Sequence, residues 1–209
     1  MRRRVSSARP LRVLITGFGP FPGMPVNPTE RLVGEVERLL RRAAAPLRVE
    51  TEIFPTEWSM LASLPNRLAA HRPELIMMTG VAASARSLRI ERNAHPGLGA
   101  TLRDAGGHLP SATDEPHAAI RRTPVNVTRL VSGLHRKGGP LVATSDDPGR
   151  YLCNAAYRTA LAWAAHRRGR PEVVFVHVPV PGLRRGQRVA DLAATIAEIT
   201  RTMASEKAR

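Results

Sequence analysis

Two short runs, Leu75-Ile76-Met77-Met78 and Val173-Val174-Phe175-Val176, are apolar at consecutive positions. A strand with one wet face alternates apolar and polar residues. A strand covered on both faces does not, and that pattern belongs to parallel sheets lying between helices. Three more β-leaning runs, 11–16, 49–54 (weakly alternating) and 141–145, and a strand-like one at 87–94 with Leu88 and Ile90 on one face, supply further strands. Between them the period changes to 3.6. A helix is expected from Asn27-Pro28-Thr29-Glu30 to about Arg42, with Leu32, Val36, Leu39 and Leu40 inward. Others are expected over 57–72 (kinked or split by Pro65), 124–137 (closed by Gly138-Gly139), 155–167 and 186–203. The last carries Val189, Leu192, Ala193, Ile196 and Ile199 at helical spacing. Strands alternating with helices predict a single three-layer α/β/α domain over residues 11–209, with a central, mostly parallel twisted sheet. Ligands of such folds sit beyond the carboxyl ends of the strands. The unperiodic stretch 95–123 is too long for an idle loop and is expected to cover a site or carry short strands. Residues 1–10, basic and without an apolar segment, are expected to form a disordered extension and not a signal peptide.

Charge and composition narrow the function. The chain carries a net charge of +15, but its arginines are scattered over helix ends and loops. Aromatic residues are only 4%, leaving little to stack on bases, so a nucleic-acid partner is not expected. No apolar run approaches the ~20 residues of a membrane span. A single cysteine excludes an internal disulfide and fits a reducing, cytoplasmic setting. His95, His108 and His117 lack ligand spacing, no His-Glu-x-x-His run exists, and no glycine-rich loop follows a phosphate-binding pattern. Neither a metal nor a cofactor is expected.

The chemistry-bearing candidates are Cys153, His177 and Glu91. Cys153 lies at a predicted helix start, with Asp146 or Asp147 as cap and Pro148 in the first turn. The positive helix end there is expected to favour a thiolate. His177 closes a buried strand, and alternation puts Glu91 on the face opposite Ile90. Nucleophile, base and orienting carboxylate are the parts of a catalytic triad. Taken singly, the same residues read as a small core hydrophobe, a core histidine and a solvated acid. Phe18 and Phe21, in a loop rich in Gly and Pro, either plug the sheet edge or wall an apolar pocket.

Local sequence separates these readings. The blocks Gly17-Phe18-x-Pro20-Phe21-x-Gly23, Asn27-Pro28-Thr29, Ile90-Glu91-Arg92-x-Ala94, Asp114-Glu115-Pro116, Gly149-x-x-Leu152-Cys153-Asn154 and Val176-His177-Val178-Pro179 follow one another at characteristic spacing. Together they resemble the pyroglutamyl peptidase I (pyrrolidone-carboxylate peptidase) family from about Leu11 to Met203. The resemblance implies an α/β/α domain and a Cys153–His177–Glu91 triad that removes N-terminal pyroglutamyl residues from peptides. It also implies an oxyanion site at backbone N–H groups near Cys153 and the Arg86 loop, and a homotetramer. Phe18 and Phe21 match the family's pocket phenylalanines, and Asn27 an asparagine near the site. The chain departs from the pattern at Gly19, Val81 and His95-Pro96, and along Gly99 to Ala105. Those departures keep open a divergent member acting on another N-blocked or cyclic amide, and a catalytically idle basic binding protein.

Overall fold

The structure is a computed structural model describing residues 9–43, 46–97, 101–111, 118–136, 142–180 and 188–208. Its sheet contains β1 (Leu11–Phe18), β2 (Leu47–Phe54), β3 (Leu75–Val81), β4 (Leu88–Glu91), β7 (Val142–Ser145) and β8 (Glu172–Val178), in the order β2-β1-β3-β8-β4-β7. Every ladder is parallel except β8–β4, so β4 and β7 run together against the other strands. The helices are α1 (Pro28–Arg41), α2 (Met60–His71), α3 (Val127–Arg136), α4 (Leu152–Ala165) and α5 (Val189–Lys207). Among the described residues no helix is long and apolar enough to cross a membrane.

The consecutive apolar strands do what their pattern requires. Leu75, Met77, Val174 and Val176 join Leu32, Val36, Leu130, Leu134, Ile196 and Ile199 from α1, α3 and α5 on one face of the sheet. Ile76, Met78, Val173 and Phe175 join Leu64, Leu68, Tyr157 and Leu161 from α2 and α4 on the other. The domain therefore has three layers. α1 starts as expected: Asn27 Oδ1 accepts the Thr29 N–H at 3.1 Å, with Pro28 at the first helical position. Its buried face includes Val33, while Leu39 is only partly covered.

Three expectations change. Pro65 neither splits nor ends α2, which runs unbroken from Met60 to His71. An interior proline costs about 3 kcal/mol. Burying Leu64 and Leu68 completely returns roughly 1.5–3 kcal/mol each and holds the helix on the sheet. The run 87–94 is two elements, because after β4 the chain leaves the main sheet as β5 (Asn93–Ala94). β5 pairs antiparallel with β6 (Arg121–Arg122), a short strand inside the long connection. The helix predicted from 124 begins only at Val127. The Gly138-Gly139 stop, the Asp114-Glu115-Pro116 block, the Gly186 helix start and all but the last two residues of the basic extension lie outside the described residues.

Candidate active site

A cavity of about 750 Å³ opens at the carboxyl ends of β1, β3 and β8, lined among others by Phe18, Phe21, Val81, Arg89, Cys153 and His177. Each candidate arrives there by a different local device.

Cys153 is the second residue of α4, whose cap is Tyr151 and not an aspartate. Asp147 instead accepts the Gly149 N–H at 3.0 Å and Arg150 Nη1 at 2.7 Å. Asp146 pairs with Arg92 and accepts Asn93 Nδ2 at 3.0 Å. Gly149 takes the left-handed conformation (φ 82°), which no residue with a side chain adopts cheaply. These bonds hold 146–151 as a turn and delay the helix, leaving Pro148 outside it. Because β7 runs against β8, that turn also carries the chain back across the rim. The sulfur consequently lies over β3, where a methyl group placed on Gly80 would stand 2.7 Å from Sγ.

Burial pushes the Cys153 thiol up to about 12, its own backbone N–H working weakly the other way and the Glu91 charge raising it further. Burial of the sulfur thus acts against the helix end, which favours a thiolate, although the residue is only partly buried and faces the cavity. Sγ is in hydrogen-bond contact with neither His177 nor Glu91, although Cys153 and His177 face the same cavity.

His177 stands beside Gly80 in the β3–β8 ladder and is 4% exposed. Its Nδ1 lies 2.8 Å from Glu91 Oε1, and Glu91 is wholly buried. A carboxylate only accepts, so the His177 Nδ1–H donates to it. Tyr157 donates its hydroxyl to the Glu91 carbonyl at 3.0 Å, and the Phe175 ring lies 4.8 Å from the imidazole. Both fix the pair from behind. Glu91 Oε2 has no hydrogen-bond partner among the described residues.

Phe18 meets both readings made of it. Its ring, 2% exposed, packs edge-on against Phe54 at 6.0 Å and also lines the cavity. Phe21 is half-buried, 6.2 Å from the Tyr151 ring. Asn27 combines its helix cap with a second bond, Nδ2 donating to the Gly19 carbonyl at 2.9 Å, which pins the phenylalanine loop from beneath. Thr56 donates to the same carbonyl at 2.8 Å.

Sequence reasoning missed four contributors. Tyr151 and Trp58 meet edge-on at 5.4 Å, and Tyr151 donates to the Arg103 carbonyl at 3.0 Å. Asp104 is 1% exposed and accepts the backbone N–H groups of Trp58 (2.9 Å) and His108 (2.8 Å). Arg89 lines the cavity. The first three pack through 101–111, where the chain lacks periodicity, so no local signal marks them. Arg89 was legible only as a strand residue sharing a face with Glu91.

Fold and cavity together define an open, largely parallel α/β protein with a cysteine and a histidine at the carboxyl rim of its sheet and a buried carboxylate beneath the histidine. A sequence model of the pyroglutamyl peptidase family matches residues 11–192. A pyrrolidone-carboxylate peptidase of Thermococcus onnurineus is 30% identical over 175 residues, covering 81% of this chain and 84% of that protein. Pyroglutamyl-peptidase 1 of Rattus norvegicus is 30% identical over 184 residues, covering 81% and 79%. The crystal structure of Bacillus amyloliquefaciens pyroglutamyl peptidase I superposes with a TM-score of 0.73 at 27% identity, covering 91% of this chain and 96% of that one. The chain belongs to the pyroglutamyl peptidase family.

Proposed function

We propose that the chain is a cysteine-type peptidase that removes N-terminal pyroglutamyl residues from peptides. The observation that carries this reading is the buried 2.8 Å contact between His177 and Glu91 at a cavity that also receives Cys153 from a helix start. The attacking group is the Cys153 thiol, which the cavity holds beside the imidazole. As Sγ attacks the pyroglutamyl carbonyl, its proton passes to His177 Nε2, and the new imidazolium offsets the thiolate's lost hydration. Glu91 holds the ring in the correct tautomer and stabilises that imidazolium. Backbone N–H groups in the first turn of α4, unpaired by helical geometry, face the developing oxyanion. Collapse of the tetrahedral adduct breaks the amide C–N bond, His177 returns the proton to the leaving amine, and water then hydrolyses the thioester. Phe18 and Phe21 wall the slot for the neutral lactam, and Asn27 keeps their loop in place. A cytoplasmic homotetramer belongs to the same reading and is open to sedimentation and cell fractionation.

The test is release of naphthylamine from pyroglutamyl-β-naphthylamide. Wild type should turn over, and Cys153→Ala should not, with an unchanged circular dichroism spectrum. No turnover by folded wild type would defeat the reading. The net charge of +15 favours one alternative, a catalytically idle basic binding protein, which predicts that outcome together with steeply salt-dependent affinity for nucleic acid. Val81 in the cavity lining favours another, hydrolysis of a different N-blocked or cyclic amide, which a panel of acyl-blocked substrates separates.

A further inference from the structure

Arg89 is a cation that no described anion pairs with. Among the described residues its guanidinium makes no ion pair and no hydrogen bond, and its Nε is buried with no partner. A buried donor left unpaired costs free energy that a purely structural residue has no reason to bear. Leu88 and Ile90 face the layer of α1, α3 and α5, so Arg89 shares the opposite face with Glu91, which reaches His177. Arg89 is also the direct ladder neighbour of His177 across β8–β4. The cavity's own acids, Asp146 and Asp147, are occupied by Arg92 and Arg150.

The order of strands gives this cation a direction. Along the rim come the phenylalanine slot after β1, Sγ over β3, the imidazole on β8 and then Arg89 on β4. On the function proposed above, the acyl group occupies the β1 side and the leaving amine receives its proton at His177. The peptide beyond the scissile bond therefore runs toward β4. Neighbouring strands are ~4.8 Å apart and one extended residue spans ~3.5 Å, so the first residue after the bond lies within reach of Arg89.

We propose that Arg89 is a specificity-determining residue that binds a carboxylate on the first residue after the scissile bond, making pyroglutamyl substrates with a carboxylate there the preferred ones. The carboxylate comes either from the free C-terminus of a pyroglutamyl dipeptide or from an acidic side chain. Three substrates separate the sources: pyroglutamyl-alanine, pyroglutamyl-alanine amide and pyroglutamyl-glutamate α-amide. Wild type is expected to show kcat/KM about tenfold or more higher for at least one carboxylate substrate than for the neutral amide, with the ratio falling as salt rises. Arg89→Gln should bring the ratio to near one, and Arg89→Lys should retain part of it, which a merely structural role would not produce. A wild-type ratio near one at low salt overturns the inference, whether or not the variants fold. If the neutral amide and the naphthylamide are cleaved by Cys153 without that preference, the inference falls and the peptidase reading stands. If nothing is cleaved, calorimetric affinities of Cys153→Ala and Cys153→Ala/Arg89→Gln for pyroglutamyl-alanine against its amide decide. Equal affinities in the single variant refute the carboxylate subsite.

Discussion

Replacing Gly80 with alanine tests the seat of the nucleophile. A Cβ there would lie 2.7 Å from Cys153 Sγ, 2.7 Å from Phe175 Cζ and 3.0 Å from Phe175 Cε1. Carbon contacts are most favourable near 3.5–4.0 Å, so about 1 Å of overlap must be relieved. Phe175 cannot yield freely, because its ring is fully buried 5.6 Å from Tyr157 and 4.8 Å from His177. Either the sulfur moves off β3, or Phe175 moves and takes the imidazole with it. Overpacking of this kind costs about 1–3 kcal/mol, which for a chain of this size lowers Tm by roughly 2–4 °C per kcal/mol. Displacing a reacting atom by ~1 Å costs on the order of 10²-fold in rate, so activity should fall further than stability. Urea melts and kcat/KM on pyroglutamyl-β-naphthylamide read both effects. Gly34→Ala is the control: it lies on α1 with nothing within 4 Å of the added methyl, and should gain about 0.5–1 kcal/mol. A Gly80→Ala protein as stable and as active as wild type would show that Sγ is not seated against β3.

Two further outcomes follow from buried carboxylates. Glu91→Gln keeps the shape but no longer demands a donor at Nδ1, so kcat should drop about 10²–10⁴-fold with little change in KM. A change below threefold would remove the orienting role assigned to Glu91. Asp104→Ala strands the N–H groups of Trp58 and His108, costing about 1–3 kcal/mol for each unpaired donor in urea melts. Burial acts to raise the Asp104 carboxyl, yet those N–H bonds outweigh it and hold it below its ordinary value of 3.8. Its contribution is therefore complete above that pH and is lost as pH falls through the lower folded value. The gap between wild type and Asp104→Ala should be constant from pH 7 to 5 and shrink only below about 4. A gap already closing at pH 5 would contradict the assignment.

What the chain's own letters determined is whatever depends on neighbours a few residues away. Strands apolar on both faces require helices above and below, and Asn27-Pro28-Thr29 carries its helix start in its own side chains. Cys153 at a helix start, His177 at a strand end and the phenylalanine loop were all visible for the same reason. The tertiary structure alone decided how those pieces meet. Nothing in Leu88–Glu91 or Val142–Ser145 states that they run against β8, because strand direction depends on which edge of the sheet they join. That reversal brings Glu91 onto an imidazole 86 residues away and leaves Arg89 beside it without a partner among the described residues. Likewise, Asp146 and Asp147 looked like caps until Arg92, Arg150 and the turn at Gly149 drew them away. The thiol's state followed the same logic: the local helix end favours charge, and only packing determines how much water the sulfur loses.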